Sequence, residues 1–309
     1  MVIKLVFFSS SEISLPLLRA LNADARFNIL YVVCQPDKTA GRSLMLKKNQ
    51  VKTSAEKMGL RVLQPEKLLS NDFLSTIKSA DADILLTFAY GKILPKDVLK
   101  SAKIAPINIH ASLLPKYRGA SPIQASILNG DNETGITIMK MVEKMDAGPI
   151  FKVYPIAILE HFTAGLLHDC IADKAAEFVP DELAKINASS VFTEQDEACA
   201  TNTVKIVKED GFVDFKCSAK ELMMRFKAYT PWPGLWTTYE NKRLKLIDLC
   251  PSNEVLAPGE IKCYADKILV GTADGSILLN EIQLESKNTI HAKQFVIGYP
   301  DFCRTSLPS

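Results

Sequence analysis

Residues 83–110 read DILLTFAYGKILPKDVLKSAKIAPINIH, and this stretch decides the fold class. Two apolar runs within it, residues 83–89 and 105–110, have the length and composition of buried strands. Between them, residues 96–102 have the apolar spacing of a short helix. Strand, helix and strand in this order predict two parallel strands joined by a crossover helix, because parallel strands cannot be joined by a tight turn.

The same alternation of strand and helix extends on both sides of this stretch. The predicted strands are 2–8, 28–34, 61–64, 83–89, 105–110, 136–141 and 150–158. The predicted helices are 15–21, 51–58, 72–79, 96–102 and 122–129. We therefore expect residues 1–186 to form an α/β domain, a mainly parallel Rossmann-like sheet with helices on both faces.

A second domain is predicted after residue 202. Residues 187–202 are rich in Ser, Thr, Ala and acids and lack sustained periodicity, which is typical of a linker. After one helix at 218–228, strand-like runs dominate, and Asp274-Gly275 is a hairpin signal between two of them. The predicted strands here are 235–239, 243–249, 267–271 and 276–282. Residues 203–309 are therefore expected to form a small, OB-like β-barrel.

Composition narrows the classes of protein. The chain has 37 Lys and Arg against 35 Asp and Glu, so its net charge of +2 gives no global basic field and any polyanion must be met locally. No run approaches the roughly 18 apolar residues of a membrane span, and no secretory cleavage site follows the first strand. We expect a cytoplasmic protein.

The seven cysteines lack a C-x-x-C pair, which favours reduced, mostly buried thiols over a disulfide framework or zinc site.

The strand at 105–110 carries two polar residues that point to chemistry. Asn108 and His110 alternate with Ile107 and Ile109, so a strand places both polar side chains on one face. The imidazole can exchange protons near neutral pH, and the amide can donate to a developing oxyanion. Alone, this pair would fit a solvated strand end better, since such tripeptides arise by chance. Together the two groups suit acyl-group chemistry.

The residues that follow carry a family resemblance. They read N-x-H-x-S-x-L-P-x-x-R-G-x-x-P at 108–122, E-T-G-x-T at 133–137 and D-x-G at 146–148. This set of fixed positions resembles the formyltransferases that use 10-formyltetrahydrofolate. The resemblance covers nearly the whole chain, including Gln35 to Arg42 and Tyr229 to Pro233. It departs at Ser9-Ser10-Ser11-Glu12-Ile13, where the family usually has Gly-Thr-Pro-Glu-Phe, and this changes the conformations open to the loop.

The resemblance implies a set of site residues. Those implied to be catalytic are Asn108, His110 and Asp146, and those implied to line the folate site are Ser112, Leu113, Leu114 and Pro115. Asn108 and His110 would donate to the oxygen of a tetrahedral intermediate, and Asp146 would orient the imidazole or accept a proton through water. By itself, Asp-x-Gly is also an ordinary turn, and the apolar loop residues could equally be core packing.

The resemblance also implies the partners. We expect transfer of the formyl group from 10-formyltetrahydrofolate, as cosubstrate, to methionine on initiator tRNA by a monomer that needs no metal. Residues 38–52 hold five basic residues and no acid, and Arg42, Lys47 and Lys48 are the expected tRNA contacts, with the C-terminal domain also contacting tRNA. Alternatives on the same catalytic domain are an amino-sugar nucleotide formyltransferase and a 10-formyltetrahydrofolate hydrolase. A non-catalytic RNA-binding module is a third reading, which the catalytic trio disfavours.

Overall fold

The computed structural model describes residues 2–40, 45–264 and 267–308, with backbone only at 38–40 and 45–47. The chain divides into two compact units. The first unit is Met1–Pro122, Asn132–Ile158 and Leu167–Val204, and the second is Ile123–Asp131, Leu159–Leu166 and Lys205–Ser309. The predicted linker therefore makes its contacts within the first unit, while the boundaries 1–186 and 203–309 stay a prediction.

A seven-stranded sheet forms the centre of the first unit. Up to residue 204 the strands are β1 (Ile3–Phe8), β2 (Phe27–Val33), β3 (Lys38–Ala40), β4 (Met45–Lys47), β5 (Val62–Leu63), β6 (Ile84–Phe88), β7 (Ala105–His110), β8 (Arg118–Gly119), β9 (Glu133–Lys140), β10 (Ile150–Ala157) and β11 (Asn202–Thr203). The order across the sheet is β10-β9-β7-β6-β1-β2-β5. Strands β7, β6, β1, β2 and β5 are parallel, and β9 and β10 run antiparallel at one edge. The predicted α/β fold class is confirmed.

Helices supply the cover that a parallel sheet requires. In this unit they are α1 (Leu15–Ala23), α2 (Gln50–Lys57), α3 (Asn71–Ser79), α4 (Lys96–Leu99) and most of α6 (Ala164–Leu183), with 3-10 turns at Glu12–Ser14 and Glu197–Cys199. Helix α5 (Pro122–Leu128) belongs to the second unit except for its first residue. Val6 and Leu85 of the central strands pack with Phe73 of α3 and Val98 of α4. Strand β6 is buried along its whole length, as expected where both faces of a parallel strand are covered.

Helix α6 is absent from the predicted elements. Its apolar residues do not gather into a clear stripe, and Pro180 lies inside it, so neither periodicity nor a stop signal marks its extent. Among the described residues, no helix is long and apolar enough to cross a membrane.

The second unit is built on an antiparallel sheet. Its strands are β12 (Leu235–Tyr239), β13 (Lys242–Ser252), β14 (Ile261–Cys263), β15 (Ile268–Gly271), β16 (Ser276–Leu284) and β17 (Ile290–His291), and its helices from residue 205 on are α7 (Ala219–Tyr229) and α8 (Ala292–Gly298), with 3-10 turns at Lys208–Gly211 and Pro300–Arg304. The order is β12-β13-β16-β15-β14, with β17 paired to β16. The predicted small β-rich C-terminal domain is confirmed.

The cysteines require a correction. Cys263 of β14 and Cys303 form a disulfide across a Cα separation of 5.7 Å, so the prediction of reduced thiols is wrong for this pair. Of the remaining five, Cys34 is buried and Cys199 is exposed, while the other three are half-buried. A separation of 40 residues without a spacing motif gave no signal for the bond.

Candidate active site at the carboxyl edge of the sheet

Strand β7 presents the two polar residues on one face, next to the centre of the sheet. Asn108 lies beside Thr87 of β6 on one side and Met139 of β9 on the other. His110 ends the strand, and parallel strands end together at the edge where α/β proteins bind ligands. The alternation read from the sequence therefore places both side chains at the expected edge.

The imidazole of His110 is held at both ring nitrogens. The side chain is only 6% exposed, and Nε2 lies 2.9 Å from the carbonyl oxygen of Tyr117. Because a carbonyl oxygen only accepts, Nε2 carries the hydrogen in this arrangement. The other nitrogen, Nδ1, lies 3.7 Å from Oδ2 of Asp146. Nδ1 is thus the nitrogen that can take up a proton, next to a carboxylate.

The Asp146 carboxylate joins the two residues of β7. Its Oδ1 accepts a hydrogen bond of 3.2 Å from Nδ2 of Asn108, and its Oδ2 accepts one of 2.8 Å from the backbone N–H of Gly119. The backbone of Asp146 has φ 49°, in the left-handed region that costs energy for residues other than glycine. The structure therefore brings the predicted trio together, on a turn that its surroundings must hold.

Gln195 holds the backbone of this turn. Its Nε2 donates to the carbonyl oxygens of Asp146, at 2.9 Å, and Gly148, at 2.6 Å. Its Oε1 accepts from Nε and Nη2 of Arg118, at 3.0 and 2.8 Å. These partners determine the orientation of the Gln195 amide, because the two carbonyls only accept and the guanidinium only donates.

Arg118 is a buried cation, only 3% exposed, and it also pairs with Glu197. The guanidinium, followed by Lys144, lowers the pKa of the Glu197 carboxyl to about 2. Neither Gln195 nor Glu197 was predicted as a site residue, and both fall within the predicted linker. The one available signal was the arginine of the R-G pair, since a buried guanidinium needs polar partners, but sequence cannot show that they lie 77 and 79 residues away.

The loop after β7 uses its polar groups internally. The Ser112 hydroxyl donates to the carbonyl of Lys116 at 2.7 Å, and the Ser112 carbonyl accepts from the Thr137 hydroxyl at 2.6 Å. Leu114 is buried and its N–H donates to the same hydroxyl, whereas Leu113 and Pro115 are half-buried. Of the four residues predicted for the folate site, Leu113 and Pro115 offer apolar surface, and Ser112 and Leu114 shape the loop.

The serines that follow β1 tie the ends of neighbouring strands together. The hydroxyls of Ser9 and Ser14 lie 2.6 Å apart, and that of Ser10 accepts from the N–H of Gln35 at 2.9 Å. Gln35 in turn donates to the carbonyl of Tyr90 at 2.7 Å. The serine run therefore serves the connection between the ends of β1, β2 and β6.

Two polar atoms near the site have no hydrogen-bond partner in the described part of the chain. They are Oγ1 of Thr87, beside Asn108, and the hydroxyl of Tyr90, which follows β6. Buried polar atoms are normally paired. The Thr87 hydroxyl lies beside Asn108, whereas Tyr90 packs in the hydrophobic cluster that includes Phe8 and Leu94. Among the described residues, no cluster of three or more His, Cys, Asp and Glu side chains could hold a metal ion.

The structure describes only part of the run that holds the predicted tRNA contacts. Arg42 lies outside the described residues, the Lys47 backbone is in β4, and Lys48 is exposed. Lys52, counted in the same basic run, pairs with Asp37 at 2.8 Å. That pair, with the N–H of Asn49, lowers the pKa of Asp37 to about 2. The positive charge of Lys52 is therefore already paired with the carboxylate of Asp37.

Comparison with known proteins covers almost the whole chain. The model of the formyl transferase family matches residues 3–183, and that of the formyl transferase C-terminal domain matches residues 205–300. The chain is 35% identical over 298 residues to the methionyl-tRNA formyltransferase of Geobacter metallireducens, covering 96% of each chain. It is 38% identical over 301 residues to that of Caldicellulosiruptor saccharolyticus, again covering 96% of each.

Solved structures share the fold at low identity. The sugar 3N-formyl transferase WlaRD, crystallised with dTDP and 5-N-formyl-THF, matches with a TM-score of 0.64 at 18% identity, over 93% of this chain and 100% of that one. HypX from Aquifex aeolicus, in complex with tetrahydrofolic acid, matches with a TM-score of 0.58 at 16% identity over 98% of this chain. This chain spans 48% of the HypX chain.

Proposed function

This chain belongs to the formyl transferase family, and we propose that it transfers the formyl group of 10-formyltetrahydrofolate to the amino group of methionine on initiator tRNA. Relatives with the name methionyl-tRNA formyltransferase support the acceptor, since they match at 34–38% identity over almost the whole chain. The sugar formyltransferases are similar in fold only, at 16–18% identity, and give no support for a sugar acceptor.

The proposed reaction moves one formyl group and one proton. The amine nitrogen attacks the formyl carbon and forms a C–N bond, giving a tetrahedral intermediate with negative charge on oxygen. The bond from that carbon to N10 of the folate then breaks, and its electron pair goes to N10. A proton leaves the amine nitrogen and a proton reaches N10, so the step balances without a further reactant.

The observation that carries the proposal is the shared carboxylate of Asp146. It accepts from Asn108 and lies 3.7 Å from Nδ1 of His110, so three groups of different chemistry surround one position. The second N–H of the Asn108 amide is left to donate to the intermediate's oxygen. His110 and Asp146 together accept the amine proton and return it to N10, the role that general acid–base catalysis requires.

The folate cosubstrate fits the loop after β7. A flat ring needs apolar walls with a few polar groups. Half-buried Leu113 and Pro115 supply apolar walls. Thr87, with its unpaired hydroxyl, supplies one of the polar groups. We assign Ser112 and Leu114 to the folate site through the shape that they give this loop.

The tRNA side is proposed from charge. Arg42, Lys47 and Lys48 sit in a basic run whose ends are joined by the Asp37 side chain, which accepts from the N–H of Asn49 at 2.9 Å. Contacts of this kind neutralise phosphates and carry no base specificity. We assign the second unit to the tRNA as well, and the cytoplasmic location and monomeric state remain predictions.

A three-acceptor assay tests the proposed function. Purified protein is given 10-formyltetrahydrofolate labelled in the formyl group, with charged initiator tRNA, a dTDP-linked amino sugar, or buffer alone. We expect label on methionyl-tRNA, with tetrahydrofolate released in equal amount. Label on the sugar alone, or formate released equally with and without tRNA, overturns the proposal in favour of the corresponding alternative.

A further inference from the structure

Gln195 makes an unusual set of contacts for a residue in a connecting segment. Three hydrogen-bonding groups of its side chain are engaged at once, two N–H donors on the carbonyls of Asp146 and Gly148 and one acceptor on Arg118. All four contact distances are between 2.6 and 3.0 Å.

The turn that it grips needs support. Asp146 stands at φ 49°, and a residue in this region is retained only where its surroundings fix it. The carboxylate itself is bonded by Asn108 and Gly119, so its direction depends on both sets of bonds. If the backbone grip is removed, the turn can relax and the carboxylate moves relative to His110.

The same segment also fixes the second neighbour of His110. Two residues of the run 193–203 bind the loop around Tyr117: Thr201 accepts from its N–H through Oγ1 at 2.8 Å, and Thr203 donates to the carbonyl of Arg118 at 3.1 Å. Tyr117 provides the carbonyl that bonds Nε2 of His110. The run 193–203 thus holds both groups that flank the imidazole.

We propose that Gln195 is a positioning residue, which keeps the Asp146 carboxylate at the distance from His110 that proton transfer requires. The proposal rests on the proposed function, in which these two residues move the proton. Its geometric basis is that the Gln195 amide bonds the backbone of the Asp146 turn while Arg118, itself buried and paired with Glu197, holds the amide.

The variant Gln195→Glu isolates the two donors. The size and shape of the side chain are kept, and the new carboxylate still pairs with Arg118. Its second oxygen, however, faces two carbonyl oxygens to which it cannot donate. We expect kcat to fall about 10-fold or more, because small misplacements of catalytic groups cost that much. The KM for each substrate should stay within about twofold, since neither substrate contact is changed.

A double-mutant cycle separates positioning from general structure. In an Asp146→Asn background, Gln195→Glu should change kcat by less than about twofold, because the group that it positions no longer acts. Asn187→Asp is the matched control, since that exposed amide of the first unit also donates to a backbone carbonyl, that of Lys185, at 3.1 Å. Its kcat and KM should equal those of the parent.

Two further measurements keep the test decisive. Gln195→Met, which carries neither charge nor donors, is measured beside the first variant in case Gln195→Glu does not fold. Amide exchange at Gly119, whose N–H is bonded to Asp146, reports the turn without any assay of activity and should quicken about 10-fold. Parent-like kcat and exchange in a folded Gln195 variant, or equal losses in both backgrounds, overturn the proposal. An inactive parent with quickened exchange contradicts the proposed function alone.

Discussion

Nδ1 of His110 and Oδ2 of Asp146 lie 3.7 Å apart in a site where every other hydrogen-bonding contact of the two side chains is between 2.8 and 3.2 Å. A charge-assisted N–H···O bond is about 2.7–2.9 Å long, so these atoms are close to bonding but not bonded. An unprotonated Nδ1 offers only a lone pair to the carboxylate, which explains the separation. Protonation of the ring turns the same pair into donor and acceptor.

Replacement of His110 should therefore remove the proton relay. We expect His110→Ala to lower kcat for formyl transfer by about 100-fold or more, the usual range for loss of a general acid or base. Binding of charged tRNA should change little, because the ring is buried and its two nitrogens face Tyr117 and Asp146. Steady-state kinetics and a tRNA binding titration measure the two effects. His168→Ala, at a half-buried histidine paired with Asp169, is the matched control and should behave as the parent.

Parent-like kcat in His110→Ala would remove this histidine from the mechanism. A loss of tRNA affinity equal to the loss of rate would assign it to binding instead.

Acid should weaken the pairing of Glu197 with Arg118. The carboxyl pKa is lowered from its ordinary value of 4.5 to about 2 by Arg118 and Lys144, so the folded state binds fewer protons than the unfolded state in this range. The stability from this pair is complete above pH 4.5 and is lost as the pH falls toward 2. Urea unfolding from pH 6 to pH 2.5 should show the free-energy gap between parent and Glu197→Gln closing as the pH falls.

Glu133→Gln is the control for that measurement, since Glu133 is exposed and makes no ion pair in the described part of the chain. If the difference in unfolding free energy between the parent and Glu197→Gln stays constant over the whole pH range, the ion pair of Glu197 with Arg118 does not stabilise the fold.

The sequence could predict the site as far as local periodicity and fixed spacing reach. Strand β7 begins and ends as predicted because its alternation of Ile with Asn108 and His110 is local. Asp146 could be placed beside them only through the family pattern, since its partner Asn108 lies 38 residues away on another element. The catalytic roles themselves stay predictions.

Long-range partners were beyond prediction for a physical reason. Gln195 reaches Asp146 across 49 residues through backbone carbonyls, and any residue type offers those. The segment's Ser, Thr and acidic content is shared by flexible linkers, which conceals side chains that bind inward. Composition records which groups are present, whereas only the fold determines which of them meet.

The basic run should contribute to tRNA binding through phosphates. We expect Arg42→Ala to weaken tRNA binding and to reduce the slope of log K against log salt by about 1, because one phosphate contact is lost. The measurement is a tRNA titration at several salt concentrations with 10-formyltetrahydrofolate absent. Lys78→Ala, at an exposed lysine of α3, should leave the slope unchanged. Equal slopes for parent and Arg42→Ala would exclude Arg42 as a phosphate contact.

Gly148 should be indispensable to the turn that carries Asp146. A Cβ at this position would overlap the backbone carbonyl oxygen of Lys140, and a backbone atom cannot swing aside as a side chain does. Gly148→Ala should therefore destabilise the protein by about 1–3 kcal/mol and displace the turn. Since the Asp146 carboxylate would move with it, kcat should fall more steeply than the folded fraction.

Gly298→Ala is the control, because a Cβ there meets nothing within 4 Å at the exposed end of α8. Its stability should stay within about 1 kcal/mol of the parent or rise slightly. Urea unfolding and kinetics on the two variants measure both effects, and full activity in Gly148→Ala would show that the turn tolerates the displacement.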